Sequence, residues 1–127
     1  LFIKTHPAEI AKGAKTLTTM VDVVKEKIKK IPKNVFFITP DKKINVYKLK
    51  NHIDLAIIFT GTLGLEMMLL NVPVVNTGKV PYGNLKLSIR PKNKKKYYYE
   101  LRRKKNVNPF FKKEVLESYA YFHTILF

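Results

Sequence analysis

The residues best suited to chemistry lie between Thr60 and Glu66, in the run T-G-T-L-G-L-E. Thr60 and Thr62 bring hydroxyl donors, Gly61 and Gly64 leave the backbone open to close approach, and an apolar stretch follows at once. If that stretch is a helix, its first N–H groups face out of the turn with the positive end of the helix dipole behind them. Such an end favours anions, most often phosphate. The same residues serve equally as a helix cap and a tight turn with no ligand. The run lacks the G-K-[ST] of a Walker loop and does not form the G-x-G-x-x-G of dinucleotide folds. His6 is a second group that could meet an anion, held in extended geometry by Pro7, although a histidine there can also do no more than cap a loop. Tyr82, in the loop N-T-G-K-V-P-Y-G, is a third candidate contact, with packing as its alternative use.

These residues need a scaffold, and the flanking pattern supplies one. Leu55 to Phe59 is an unbroken apolar run, the pattern of a strand covered on both faces. Leu63 to Leu70 reads as a helix, Pro73 stops it, and Val74-Val75 begins another buried strand. Strand, turn, helix and strand at this spacing make one βαβ unit of a parallel sheet. Upstream, Leu1 to Lys4 reads as a strand and Lys15 to Ile31 as an amphipathic helix with Leu17, Met20, Val21, Val24, Ile28 and Ile31 on one face. Asn34 to Ile38 is the second strand, and Val46 to His52 a short helix or turn. Downstream, Leu85 to Ile89 reads as an edge strand. Asn108-Pro109 opens a terminal helix lined by Phe111, Val115, Tyr119, Phe122 and Leu126. Open parallel sheets bind ligands at the carboxyl ends of their strands, which would set His6, Thr60 and the Tyr82 loop on one rim. The expected class is α/β, a Rossmann-like parallel sheet with flanking helices.

Composition narrows the function. A chain of 127 residues, 46% apolar, can build one core. Cysteine is absent and the three histidines are scattered, so neither a disulfide framework nor a metal-ligand set is expected. No apolar run approaches the length needed to cross a membrane. Opening directly on a strand, the chain reads as a piece of a longer protein, its C-terminal part. The formal charge of +16 directs attention to Arg90–Lys105, where three consecutive tyrosines sit among lysines and arginines. Clustered cations of this kind seek an anionic partner.

Taken in order, I-K-T-H-P-A-E, then D-L-A-I-I-F-T-G-T-L-G-L-E-M-M-L-L-N-V-P-V-V-N-T-G, then the closing Y-G, resemble the C-terminal nucleotide-binding half of capsule polysaccharide biosynthesis glycosyltransferases of the GT-B type. The resemblance covers residues 1 to 83, and beyond Gly83 no motif of that group is found. It implies that His6 meets the phosphate of a CMP- or UDP-linked sugar donor, that Thr60 and Thr62 bind the same phosphate, and that Glu66 holds ribose hydroxyls. It also implies a glycan or lipid-linked acceptor, an N-terminal domain carrying the catalytic base, and work in the cytoplasm at the inner face of the cell membrane. There the Arg90–Lys105 run could lie on anionic headgroups, each basic residue adding about 1 kcal/mol. The chain then divides into a nucleotide-sugar-binding core, 1–84, and a basic segment with a C-terminal helix, 85–127, packed on the same domain. Two other readings stay open. One is a sugar-nucleotide epimerase of related double-Rossmann architecture; the other, less favoured, is a nucleic-acid-binding module using the tyrosines for base stacking.

Overall fold

The computed structural model describes residues 1–11, 13, 17–85, 87–103 and 112–126. The chain is mixed α/β and divides into two compact units, Leu1–Asn45 and Val46–Phe127.

In the first unit, β1 (Phe2–Lys4) runs parallel to β2 (Phe36–Ile38), with Phe2 opposite Phe36 and Lys4 opposite Ile38. The Thr5 N–H extends the ladder to the Ile38 carbonyl at 3.1 Å. Between the strands lies α1 (Met20–Lys27), shorter than its apolar spacing suggested. Its start is fixed by a capping box at Thr19: the Thr19 hydroxyl accepts the Asp22 N–H, and the Asp22 carboxylate accepts the Thr19 N–H. Glu9 adds a bond from the Met20 N–H at 3.0 Å. At the other end Ile28 is already extended, so the helix stops at Lys27, four residues before Ile31. The expected apolar face is only partly used, since Leu17 is fully exposed and Met20 and Ile28 are nearly half exposed.

The second unit holds the larger core. A 3-10 segment (Val46–His52) leads to β3 (Ala56–Ile58), then α2 (Leu63–Leu69) and β4 (Val74–Asn76). β3 and β4 pair in parallel, Ala56 opposite Val74 and Ile58 opposite Asn76, as a βαβ unit requires. The turn out of α2 explains its length. Asn71 adopts φ 61°, the Val72 N–H reaches the Met67 carbonyl at 2.9 Å, and the Asn71 N–H reaches Met68 at 3.0 Å. This is a Schellman closure with asparagine at the left-handed position, and Pro73 follows. Leu65, Met67 and Met68 of α2 are buried with Val72, Val74 and Tyr82. Each such aliphatic side chain stabilises by about 1.5–3 kcal/mol. α4 (Lys112–Leu126) packs on α2, with Val115 in the core and Tyr119 against it. The expected opening of that helix at Asn108-Pro109, and Phe111, lie outside the described residues.

Three expectations are revised. β3 is not covered on both faces: Ile58 is buried, whereas Ile57 is 42% and Phe59 72% exposed. The strand bordered on both sides is β4, which has β3 on one flank and a single parallel bridge from Val75 to Ile89 on the other. All three β4 residues are buried accordingly. The edge strand expected over Leu85–Ile89 reduces to that bridge, because Gly83–Leu85 forms a 3-10 turn instead. Finally, the strands form two two-stranded parallel sheets, and among the described residues no ladder joins one pair to the other. No described helix is long and apolar enough to cross a membrane.

Candidate functional site

The turn after β3 takes the shape its residues suggested. Gly61 has φ 92°, a left-handed conformation that a side chain would strain, and Thr60 beside it is exposed. Thr62 is the N-cap of α2, yet its hydroxyl makes no capping bond. It donates instead to Glu66 Oε1 at 3.1 Å, while Tyr47 donates its hydroxyl proton to Glu66 Oε2. Glu66 thus ties the 46–52 segment to the start of α2. Its acceptance of the Tyr47 proton is the main reason that phenol is raised to about 12, with burial adding to the effect. A carboxylate has about four acceptor positions, so two bonds leave it capacity for a ligand hydroxyl.

Gly64 and Tyr82 answer to packing. A Cβ on Gly64 would fall inside the Tyr82 hydroxyl and 3.1 Å from Tyr82 Cζ, so the glycine exists to admit that ring. Tyr82 is 1% exposed, and burial lifts its phenol to about 12 against a smaller opposing hydrogen bond from Asn76. His6 is also engaged. Its Nδ1 accepts the Ala8 N–H at 3.1 Å, and Glu9 returns a bond to the His6 N–H at 3.4 Å, a capping box on the 3-10 turn Pro7–Glu9. With Nδ1 an acceptor, the ring proton sits on Nε2. His6 belongs to the first unit; the site described here is built wholly from the second.

That site includes a cavity the sequence did not disclose. Just beyond β4, Thr77 is pinned to β3: its N–H and its hydroxyl both donate to the Ile58 carbonyl, at 2.9 and 3.2 Å. On the other side of β4, Ile89 accepts from the Asn76 N–H at 2.8 Å and donates to the Val74 carbonyl at 2.9 Å. Because this bridge is parallel, the chain after Ile89 leaves at the same edge as Thr77. Arg90 is held there by a bond from its guanidinium to the Gly83 carbonyl at 3.0 Å. α3 (Lys94–Arg102) then opens with Asn93 as N-cap, its side chain accepting the Lys96 N–H at 2.9 Å. The result is an open cavity of about 370 Å³, lined by Thr77, Pro91, Asn93, Lys94 and Tyr97, at the carboxyl edge of the β3–β4 pair.

Within the Arg90–Lys105 run, α3 sorts the side chains. Tyr97 is half-buried and Glu100 buried, whereas Lys94, Lys95, Tyr98, Tyr99 and Arg102 face solvent. Lys96 Nζ pairs with Glu100 at 3.7 Å and lies 4.4 Å from the Tyr99 ring centroid. Lys104 and Lys105 lie outside the described residues. The signal that could have revealed the cavity wall is the N-cap asparagine ahead of K-K-K-Y, which marks a helix start. No protein-family model, curated protein or solved structure matches the chain.

Proposed function

We propose that the chain is the donor-binding part of a GT-B glycosyltransferase that builds capsule or another surface polysaccharide. The observation that supports this best is the cavity at the carboxyl edge of the parallel β3–β4 pair, the edge from which the hydroxyl-rich turn after β3 also leaves, although no residue of that turn lines the cavity. Parallel α/β units bind nucleotides at that edge. In the proposed reaction an acceptor hydroxyl attacks the anomeric carbon of the donor sugar and the nucleotide leaves with the bonding electrons. The residues here hold that nucleotide and stabilise its phosphate as charge develops, with the exposed Thr60 hydroxyl as a donor and Glu66 as an acceptor for ribose hydroxyls. The base that takes the acceptor proton is assigned to a further domain, and the acceptor to a glycan or lipid-linked chain at the inner membrane face.

Thermal unfolding of the chain with CMP- and UDP-linked sugars, the free nucleotides and a short single-stranded RNA, at low and high salt, tests the proposal. A ligand at 100 times its Kd adds about 2.7 kcal/mol to stability, a rise of several degrees at this length. The expected result is a salt-resistant shift with one nucleotide sugar that shrinks in Thr60→Ala. A shift with RNA alone, lost at high salt, would overturn it.

A further inference from the structure

The basic run reads, in sequence, as a surface for an anionic polymer or a membrane. Its first helical turn is placed differently from the rest. Lys94 and Tyr97, three positions apart on α3, both line the 370 Å³ cavity, whereas Lys95, Tyr98, Tyr99 and Arg102 are exposed and do not. The spacing follows from the helix, where residues three apart share a face. The cavity wall therefore combines a lysine, a tyrosine, Thr77 and Asn93, with no carboxylate among its described lining residues. The Asn93 oxygen is already engaged by the Lys96 N–H, and the Thr77 hydroxyl proton by the Ile58 carbonyl. Lys94 is then the wall's charged side chain and Tyr97 its aromatic one; the Lys94 ammonium lies 5.9 Å from the centroid of the exposed Tyr98 ring, and the Tyr97 and Tyr98 centroids are 5.5 Å apart, so a ligand phosphate would draw Lys94 from Tyr98. A cation selects an anion and a ring selects another ring. A volume of this size lies at the lower end of small-molecule sites, roughly 300–1,000 Å³.

We infer that this cavity holds the nucleotide monophosphate portion of the ligand, with its base against Tyr97 and a phosphate against Lys94. The inference rests on the proposed function only for the source of that nucleotide. It removes the first turn of α3 from any membrane or polymer surface and gives it to the ligand.

Isothermal titration of the whole chain with CMP, UMP, cytidine, uridine and ribose 5-phosphate tests the assignment. Four proteins are compared: the unsubstituted chain, Lys94→Gln, Tyr97→Leu and Lys95→Gln. Lys95 is a neighbouring exposed cation outside the cavity, so its substitution measures the general effect of charge. Loss of a charge-assisted bond lowers affinity about tenfold, and loss of base stacking about five- to a hundredfold. Lys94→Gln is expected to weaken the nucleotides and ribose 5-phosphate by that tenfold and to leave the nucleosides unchanged. Tyr97→Leu is expected to weaken nucleotides and nucleosides but not ribose 5-phosphate, and Lys95→Gln to change nothing beyond threefold. Because Tyr97 is half-buried, circular dichroism checks that its variant is folded, and the exposed Lys94 variant decides the matter if it is not. Equal losses in Lys94→Gln and Lys95→Gln overturn the inference, because they mean that only the overall charge matters. Nucleotide-sugar binding that is lost in Thr60→Ala and untouched in Lys94→Gln also overturns it while leaving the transferase reading intact. Mononucleotide binding through Lys94 and Tyr97, with no gain in affinity for any nucleotide sugar, supports the inference and counts against the transferase. No nucleotide binding at all overturns both.

Discussion

Gly64 offers the sharpest test of how the turn is built. Alanine is the better helix former by about 1 kcal/mol, so Gly64→Ala would stabilise the chain if the position were open. It is not open, because the added methyl would overlap the hydroxyl of Tyr82, a ring only 1% exposed. Overpacking a rigid core costs about 1–3 kcal/mol. With the ring fixed among Ile58, Leu65 and Leu87, the upper figure applies, for a net loss of about 2 kcal/mol. At this chain length that lowers Tm by roughly 8 °C. In the Tyr82→Phe background the overlapping atom is gone and the nearest ring carbon is 3.1 Å away, so the same substitution should be close to neutral. A double-mutant cycle by urea denaturation should return a coupling of about 2 kcal/mol, well above the additivity error of about 0.5 kcal/mol. Equal effects in both backgrounds would refute the packing role. The glycine would then be free for the close ligand approach that its sequence setting suggested.

Two further predictions concern titrating groups. The Asp22 carboxyl is held below its ordinary value by the Thr19 hydroxyl and N–H, so its support of α1 is present above about pH 4 and fades as acid protonates it. Thr19→Ala should cost about 1 kcal/mol near neutrality and weaken that acid dependence, because the hydroxyl bond is lost and the N–H bond kept, read by circular dichroism against pH; an unchanged profile would count against the cap. At the alkaline end, Tyr47 and Tyr82 are raised from 10.0 to about 12. The folded state then holds protons that the unfolded chain releases, so stability is intact below pH 10 and falls as pH rises toward 12. Phenolate absorbance should show Tyr47 and Tyr82 titrating late, with Glu66→Gln bringing Tyr47 forward.

Local patterns in this chain were legible wherever local forces decide. The 46–52 segment, the run of α2 into β4 and the breaking role of Pro73 all follow from spacing and backbone chemistry. The start of α1 was misplaced because the Thr19–Asp22 box overrides an apolar period that continues through Leu17. Leu55–Phe59 looked doubly covered because an apolar run does not say which strand will be flanked; Ile89 chose β4. The same bridge is why the cavity was invisible. Nothing in the text of residues 77, 91, 94 and 97 shows that one parallel contact at 89 will return them to a common edge. Tyr82 was a candidate for ligand contact because a Pro-Gly loop normally lies outside, and only the notch at Gly64 shows where the ring goes.

The cavity is made of two unlike materials. Its floor is Thr77 at the strand edge, fixed by two bonds to the Ile58 carbonyl. Its wall is the first turn of a helix whose residues 94 and 95 lie in solvent, where substitution costs folding little. Selection, or a library randomised at 94, can therefore revise what the edge recognises while the floor stays as it is. A site divided in this way can acquire a new preference over a few substitutions without passing through an unfolded ancestor.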